Sequence, residues 1–333
     1  MTINKIPRVH LAKLPTPISE LQRLSKVLDG PRILIKRDDL TGLAFGGNKV
    51  RKLEFLIADA KVQQADTLIT TGGIQSNHCR QTAAAAVLHG LKCELILNGE
   101  KPKGDDIPNG NLLLNKLLGA KIHWISRIEQ RNAKMEEIAE EVRKCNHKPY
   151  IIPVGGSNQI GVLGYVEAMS ELMNQLKAKG YKVDHIIFAS SSGGTQAGLV
   201  LGAKITGYQG QILGIKIDTE KNAEVVYPKK LIEIANGAAK ILGVNHRVDR
   251  DDFNLDYDYL GKGYGIVGEL EKNAIKLAAE NEGLFLGPVY TARAFGGLIN
   301  LIHKGKFHSD ETVLFWHTGD TPTIFGYAKE LAP

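Results

Sequence analysis

Residues 185–205 read HIIFASSSGGTQAGLVLGAKI. The opening run, 185–189, is aliphatic and β-branched, as expected of a strand buried on both faces. A glycine- and serine-rich turn follows at 190–195, and from Gln196 the pattern is helical. A strand that passes through a tight turn into a helix is the repeating unit of a parallel sheet, because parallel strands need a long crossover between them. The same order recurs along the chain. Runs at 67–71, 92–97, 121–124, 150–154, 212–217 and 312–316 predict further strands. Between them, Val50, Leu53, Ile57 and Ala60 repeat at helical spacing, as do Met135, Ile138, Ala139 and Val142. The expected fold class is α/β, with open, twisted, mostly parallel sheet covered by helices on both faces.

Several of these strands end in polar, glycine-rich turns: GGIQSN at 72–77, GGSN at 155–158, SSSGGT at 190–195 and HTGD at 317–320. Ligands of open α/β sheets bind beyond the carboxyl ends of the strands, so these turns mark the expected site.

Composition narrows the function. The 333 residues are 43% hydrophobic and 23% charged, with a net charge of +6, the balance of a globular protein. The basic residues are dispersed among acidic ones, so no nucleic-acid partner is expected, and the surplus suits a small anionic substrate. No stretch is apolar for long enough to suggest a membrane span. Cys79, Cys93 and Cys145 fit neither a zinc pattern nor a disulfide framework, so no metal and a reducing, cytoplasmic setting are expected. The N-terminal stretch lacks the marks of a signal peptide.

Three segments carry chemistry. In 190–195, glycines let successive N–H groups converge, hydroxyls add donors, and the next helix points its positive end at the same spot: a phosphate cup. A side chain at Gly193 is expected to intrude on the phosphate. The competing reading is an ordinary capped turn. In FGGNKVRK (45–52), Lys49 stands where a glycine turn enters a helix, and the dipole there, with partial burial, favours the free amine. A plain basic surface patch is the alternative. In TGGIQSNH (71–78), Ser76, Asn77 and His78 open a helix and can receive a carboxylate or a hydroxyl, or merely cap it.

Together, KRDDLTGLAFGGNKVRKLEFL (36–56), TTGGIQSNHCRQTAAAA (70–86), VGGSNQIGVLGYVEA (154–168), ASSSGGTQAGL (189–199), GPVYTARAFGGL (287–298) and FWHTGD (315–320) resemble the family of D-cysteine desulfhydrase and 1-aminocyclopropane-1-carboxylate deaminase, in the tryptophan-synthase-β-like (fold type II) group of pyridoxal-phosphate enzymes. The likeness runs from about Leu14 to Tyr327. It implies pyridoxal 5'-phosphate as cofactor, Lys49 as its Schiff-base lysine, Asn77 as partner of the ring hydroxyl, and Ser192, Gly193, Gly194 and Thr195 as phosphate loop. It places the substrate carboxylate on Ser76 and the amides of Asn77 and His78, and Tyr264 and Tyr290 beside the reacting atoms. It further implies two sheets, a small domain at 50–157 with the remainder forming a large cofactor domain, and a homodimer.

Within the family, ring-opening deaminases carry Glu after the tyrosine of the VY segment and Leu after the histidine of the last motif. Here the residues are Thr291 and Thr318, as in the desulfhydrase branch. A hydroxyl at the pyridine nitrogen leaves the ring more nearly neutral than a carboxylate would. That suits β-elimination from a small amino acid, with D-cysteine giving pyruvate, hydrogen sulfide and ammonia. The alternatives are cyclopropane opening to 2-oxobutanoate, a cysteate-type sulfo-lyase, and a cofactor-binding regulatory homologue. Two residues depart from expectation. Asp320 replaces the second glycine of HTGG and is expected near the ring nitrogen or the substrate side chain. Cys79 lies beside the pocket and reads best as a small core residue.

Overall fold

The computed structural model describes residues 2–103, 106–218 and 223–332. The strands are β1 (Ile18–Glu20), β2 (Arg32–Arg37), β3 (Thr67–Gly73), β4 (Lys92–Asn98), β5 (Lys121–Ile125), β6 (Pro149–Ile151), β7 (His185–Ser190), β8 (Gln211–Lys216), β9 (Asn254–Asp256) and β10 (Thr312–His317). The helices are α1 (Gln22–Val27), α2 (Lys49–Val62), α3 (Asn77–Leu88), α4 (Gly110–Leu117), α5 (Arg131–Lys144), α6 (Leu163–Lys179), α7 (Gly194–Thr206), α8 (Ala223–Leu242), α9 (Glu269–Glu282), α10 (Thr291–His303) and α11 (Ala328–Leu331).

The strands form two sheets. The larger runs β1-β2-β10-β7-β8-β9 and the smaller β5-β4-β3-β6. Every pairing is parallel except the edge pair β1–β2. At the centre of the large sheet, every residue of β10 is buried. Its side chains alternate between two cores. Leu314 and Trp316 join Ile186 and Phe188 of β7 beneath α6, α7 and α8. Val313 and Phe315 join Ile187 and Ala189 beneath α9 and α10. Helices on both faces explain why these strands read as unbroken apolar runs. In the small sheet, Ile69, Ile96 and Ile125 meet Met135, Ile138, Ala139 and Val142 of α5, the residues whose spacing predicted that helix. Leu68 meets Leu53, Leu56 and Ile57 of α2 on the other side.

The predicted strands all form, although β6 ends at Ile151, before the turn containing Gly155 and Gly156, both of positive φ. The sequence reading passed over β1, β2 and β9. In β2, RILIKR, Lys36 breaks the apolar run yet is fully buried. It is held by the Thr16 carbonyl at 2.7 Å, by Gln175 Oε1 at 2.6 Å and by the Glu171 carboxylate.

That lysine belongs to a buried ionic network. The Arg51 guanidinium donates from Nε and Nη2 to the two oxygens of Asp38 at 2.9 and 2.8 Å, and from Nη1 and Nη2 to Glu171 at 3.0 and 2.9 Å. The Tyr165 hydroxyl donates to Asp38 at 2.6 Å. Burial opposes ionisation of Asp38, but Arg51, Lys36 and Tyr165 together draw it down to about 2. The network joins β2, the turn after it, α2 and α6. Replacing Arg51 with Met leaves two carboxylates buried without their main cation and is expected to cost about 3–5 kcal/mol of folding stability. Denaturant unfolding at neutral pH measures this, and a loss below about 1 kcal/mol would show that the network contributes no more than a surface pair.

Candidate active site

Four glycine-rich turns converge at the carboxyl ends of the strands around a cavity of about 310 Å³, at the small end of the range for ligand sites. Lys49, Ser76, Asn77, His78, Ser192, Gly193, Thr195, Tyr264, Tyr290 and Thr318 all line it. Of the expected site residues, only Gly194 does not.

Lys49 is the first residue of α2. The turn before it is pinned on both sides: Gly47 N–H donates to the Asp38 carbonyl at 3.0 Å, and Asn48 N–H to the Thr318 carbonyl at 2.9 Å. Gly47 (φ +125°) and Gly319 (φ +99°) lie back to back, and a Cβ on Gly319 would sit 2.7 Å from the Gly47 Cα, so neither turn tolerates a side chain there. Burial lowers the Lys49 ammonium to about 8, against the opposing pull of Asp320. A substantial free-amine fraction near neutral pH follows.

The 190–195 turn leads from β7 into α7 as its glycines predict, with one correction. Gly193 (φ +96°) caps α7, and a Cβ on it would strike Leu231 at 2.6 Å rather than enter the cup. A Cβ on the neighbouring Gly194, which does not line the cavity, would lie 2.7 Å from Ser157 Oγ and 2.8 Å from Lys52 Nζ. Ser157 Oγ accepts from Gly194 N–H at 3.1 Å and pairs with Ser192 Oγ at 2.8 Å, while Asn48 Nδ2 donates to Thr195 Oγ1 at 3.0 Å.

Lys52 escaped the sequence reading. Its ammonium is completely buried and donates to the Gly155 carbonyl at 3.2 Å and Ser157 Oγ at 3.3 Å; among the described residues it has no ion-pair partner. Burial, then the charges of Lys49 and Lys230, push it well below the ordinary lysine range. A cation buried without a counterion at a helix N-terminus fits an anionic group, and phosphate matches it in charge and in number of acceptors. The signal was available: Lys52 is one helical turn after Lys49.

On the other wall, Ser76 caps α3, its Oγ accepting from Cys79 N–H at 3.2 Å. Asn77 is fully oriented: its Nδ2 donates to Asp320 at 2.8 Å and its Oδ1 accepts from Arg80 at 3.2 Å. His78 Nε2 lies 2.8 Å from Thr70 Oγ1, which donates its own proton to the Ile152 carbonyl at 2.8 Å. The imidazole proton therefore sits on Nε2. Burial, with Lys49 and Lys52 nearby, keeps the ring neutral. The Tyr264 and Tyr290 hydroxyls bond to each other, with the rings edge to face at 5.8 Å.

Two expectations are corrected. Asp320, in the left-handed region at φ +83°, does not line the cavity. Its carboxylate is occupied by Asn77, by Thr323 and by Tyr290 N–H at 3.2 Å, and burial raises it to about 7. The Thr291 hydroxyl turns to the Gly287 and Gly319 carbonyls, each at 3.2 Å, so Thr318 alone of the two threonines borders the cavity. Cys79 is fully buried and its thiol is pushed up to about 12 by burial, a core residue as expected. All three cysteines are free.

The comparisons agree with this geometry. Residues 9–319 match the family model for pyridoxal-phosphate-dependent enzymes. A Pyrococcus abyssi protein provisionally named 1-aminocyclopropane-1-carboxylate deaminase is 42% identical over 99% of this chain and 96% of its own length. A D-cysteine desulfhydrase of Klebsiella pneumoniae is 39% identical over 99% of this chain and 98% of its own. A crystal structure described as an ACC deaminase homologue superposes with a TM-score of 0.89, at 39% identity, over 99% of this chain and 97% of that one. The chain belongs to the pyridoxal-phosphate-dependent enzymes and, within them, to the family that holds the D-cysteine desulfhydrases and ACC deaminases. Its fold is the tryptophan-synthase-β-like, type II fold of that class, and its cofactor is pyridoxal phosphate.

Changing Lys52 to Met removes a buried cation that lacks a counterion. Apoprotein stability is therefore expected to hold or rise, while cofactor affinity falls about 10- to 100-fold. Titration of apoprotein with pyridoxal phosphate, beside thermal unfolding of the same sample, separates the two effects. Unchanged affinity would remove Lys52 from the cup.

Proposed function

We propose that this enzyme is a lyase that eliminates the β-substituent of a small amino acid, with D-cysteine giving pyruvate, hydrogen sulfide and ammonium. One observation carries the choice among family activities. Among the described residues lining the cavity, Asp218 is the single carboxylate, and it is engaged by Ser191 at 2.6 Å and by Lys216. At the far end stands Thr318, while Asp320 is turned away to Asn77. A cavity that offers the ring nitrogen a hydroxyl rather than a carboxylate favours a weaker electron sink. Elimination tolerates this because the leaving group carries the charge away.

Pyridoxal phosphate, when bound, supplies that electron sink. The chain does the rest. Ser76 Oγ and the N–H groups at the start of α3 receive the substrate carboxylate, which orients Cα. The Lys49 amine, lowered to about 8, takes the Cα proton. Sulfur departs from Cβ with its electron pair. Tyr264 and Tyr290, bonded to one another, exchange protons with the departing group. The three-carbon enamine is released and hydrolyses to pyruvate and ammonium. His78, neutral, adds no competing charge.

The same reading takes 50–157 as the small domain and 1–49 with 158–333 as the large one, a homodimer as the working assembly, and the cytoplasm as location. Among the described residues, no helix is long and apolar enough to cross a membrane.

A second reading, ring opening of 1-aminocyclopropane-1-carboxylate, draws support from Asp320: raised to about 7, it can hold or release a proton behind Asn77. Product analysis decides. With D-cysteine, pyruvate and sulfide should appear in equal amounts, and with the cyclopropane amino acid 2-oxobutanoate should form far more slowly. Faster 2-oxobutanoate formation would replace the first reading with the second.

A further inference from the structure

Inside the cavity two cations, Lys230 and Arg131, are left without an assigned anion. The cofactor phosphate answers Lys52 and the N-terminus of α7. The α-carboxylate of a substrate answers Ser76 and the N-terminus of α3. Arg131, at the start of α5, also lines the cavity, and among the described residues its guanidinium has no hydrogen-bond or ion-pair partner. Its Nε is buried with nothing to donate to. A buried unpaired donor of this kind is costly, and more so on a charged group. A second orphan stands in the same cavity: Asn98 Oδ1, at the end of β4, is buried and unpartnered. The two ends of an amide are isosteric, so Asn98 turned over presents its NH2 group instead.

The place of these two groups is informative. Asn98 ends β4 and Arg131 begins the helix that follows β5, so both come from the small-sheet half of the fold. Gly73 and Tyr264 border the same wall, a Cβ on Gly73 lying 3.3 Å from the Tyr264 ring. The charge of Arg131 is felt at both Tyr264 and Cys79. That places Arg131 within reach of the tyrosines, where the reading above sends the leaving group, and of the first turn of α3.

We infer that Arg131, aided by Asn98, forms a subsite for negative charge on the β-substituent of the substrate. This inference rests on the elimination reading and names its substrate class: amino acids whose Cβ releases an anion, a thiol leaving as hydrosulfide or a sulfonate leaving as sulfite. As Lys49 removes the Cα proton, the Cα–H pair forms the new Cα–Cβ π bond, the Cβ–S bond breaks, and its electron pair leaves on sulfur. A guanidinium at that end stabilises the charge that appears there, the general form of electrostatic catalysis. A planar fork of donors also fits a sulfonate or carboxylate through two oxygens.

The test uses holoenzyme and two amino acids that lack a leaving group, alanine and aspartate, each as both enantiomers, with binding read from the cofactor absorption band. Wild-type enzyme should bind aspartate more tightly than alanine. Arg131→Met should weaken aspartate about 10- to 100-fold and leave alanine unchanged, and Arg131→Lys should recover part of the loss. Cysteate and D-cysteine turnover by the same variants shows which anion the subsite serves: a larger fall in kcat/KM for cysteate marks the sulfonate, a larger fall for D-cysteine the hydrosulfide. Equal weakening of alanine and aspartate would assign Arg131 to the α-carboxylate and overturn the inference. So would wild-type preference for alanine, a result that needs no variant to fold. Neither binding measurement requires elimination. Failure of wild-type enzyme to form pyruvate from D-cysteine would therefore count against the activity alone.

Discussion

Arg51 grips Asp38 through two parallel hydrogen bonds, with neither ion exposed to solvent, and the position of Lys49 follows from that pair. Asp38 directly follows β2, and its main-chain carbonyl takes the N–H of Gly47. Arg51 lies in the first turn of α2, whose first residue is Lys49. The pair thus fastens the turn from both ends, and Glu171 and Tyr165 tie it to α6. Ion pairs buried this deeply contribute little net stability, because desolvation offsets attraction. Their value here is geometric: a fork-to-carboxylate contact admits few orientations, and a reactive amine needs one.

A second constraint is the direction of helix dipoles. α2, α3 and α7 all begin at the cavity. Three positive ends in one place favour anions and disfavour ammonium ions. Burial at the same place lowers the proton affinity of Lys49 and, with neighbouring lysine charges, of Lys52 and His78. Asp320 is the exception, a carboxylate within the same neighbourhood but diverted into bonds with Asn77, Thr323 and the Tyr290 amide. Its place behind Asn77 makes it a supporting residue rather than a wall of the cavity.

How much of this the sequence disclosed depends on whether the deciding physics is local. Buried parallel strands such as β7 and β10 are apolar throughout, and turn glycines announce themselves, so the strands from β3 onward, short β9 excepted, and the four loops were legible. The β2 strand was not, because Lys36 and its flanking arginines find partners only in the folded state. At the site, Lys49, Ser76 and the 190–195 loop stood out through helix-start chemistry, but for Lys49 and Ser76 the family resemblance supplied the role. Lys52 and Arg131 were invisible for the opposite reason. Each resembles an ordinary helix-surface cation, and only the missing counterion, a property of the surroundings, sets it apart. That a Cβ on Gly193 would meet Leu231 was not legible, because the Cα–Cβ direction at a left-handed residue cannot be told from the string of letters.

The central claim is that Lys49, held by the Arg51–Asp38 pair, carries the cofactor. Borohydride reduction of the holoenzyme, followed by proteolysis and mass mapping, tests it most directly. The account predicts that the reduced pyridoxyl group is found on Lys49, in the peptide containing Phe45–Gly46–Gly47–Asn48. Label on Lys52, on Lys230 or on any other lysine would contradict it.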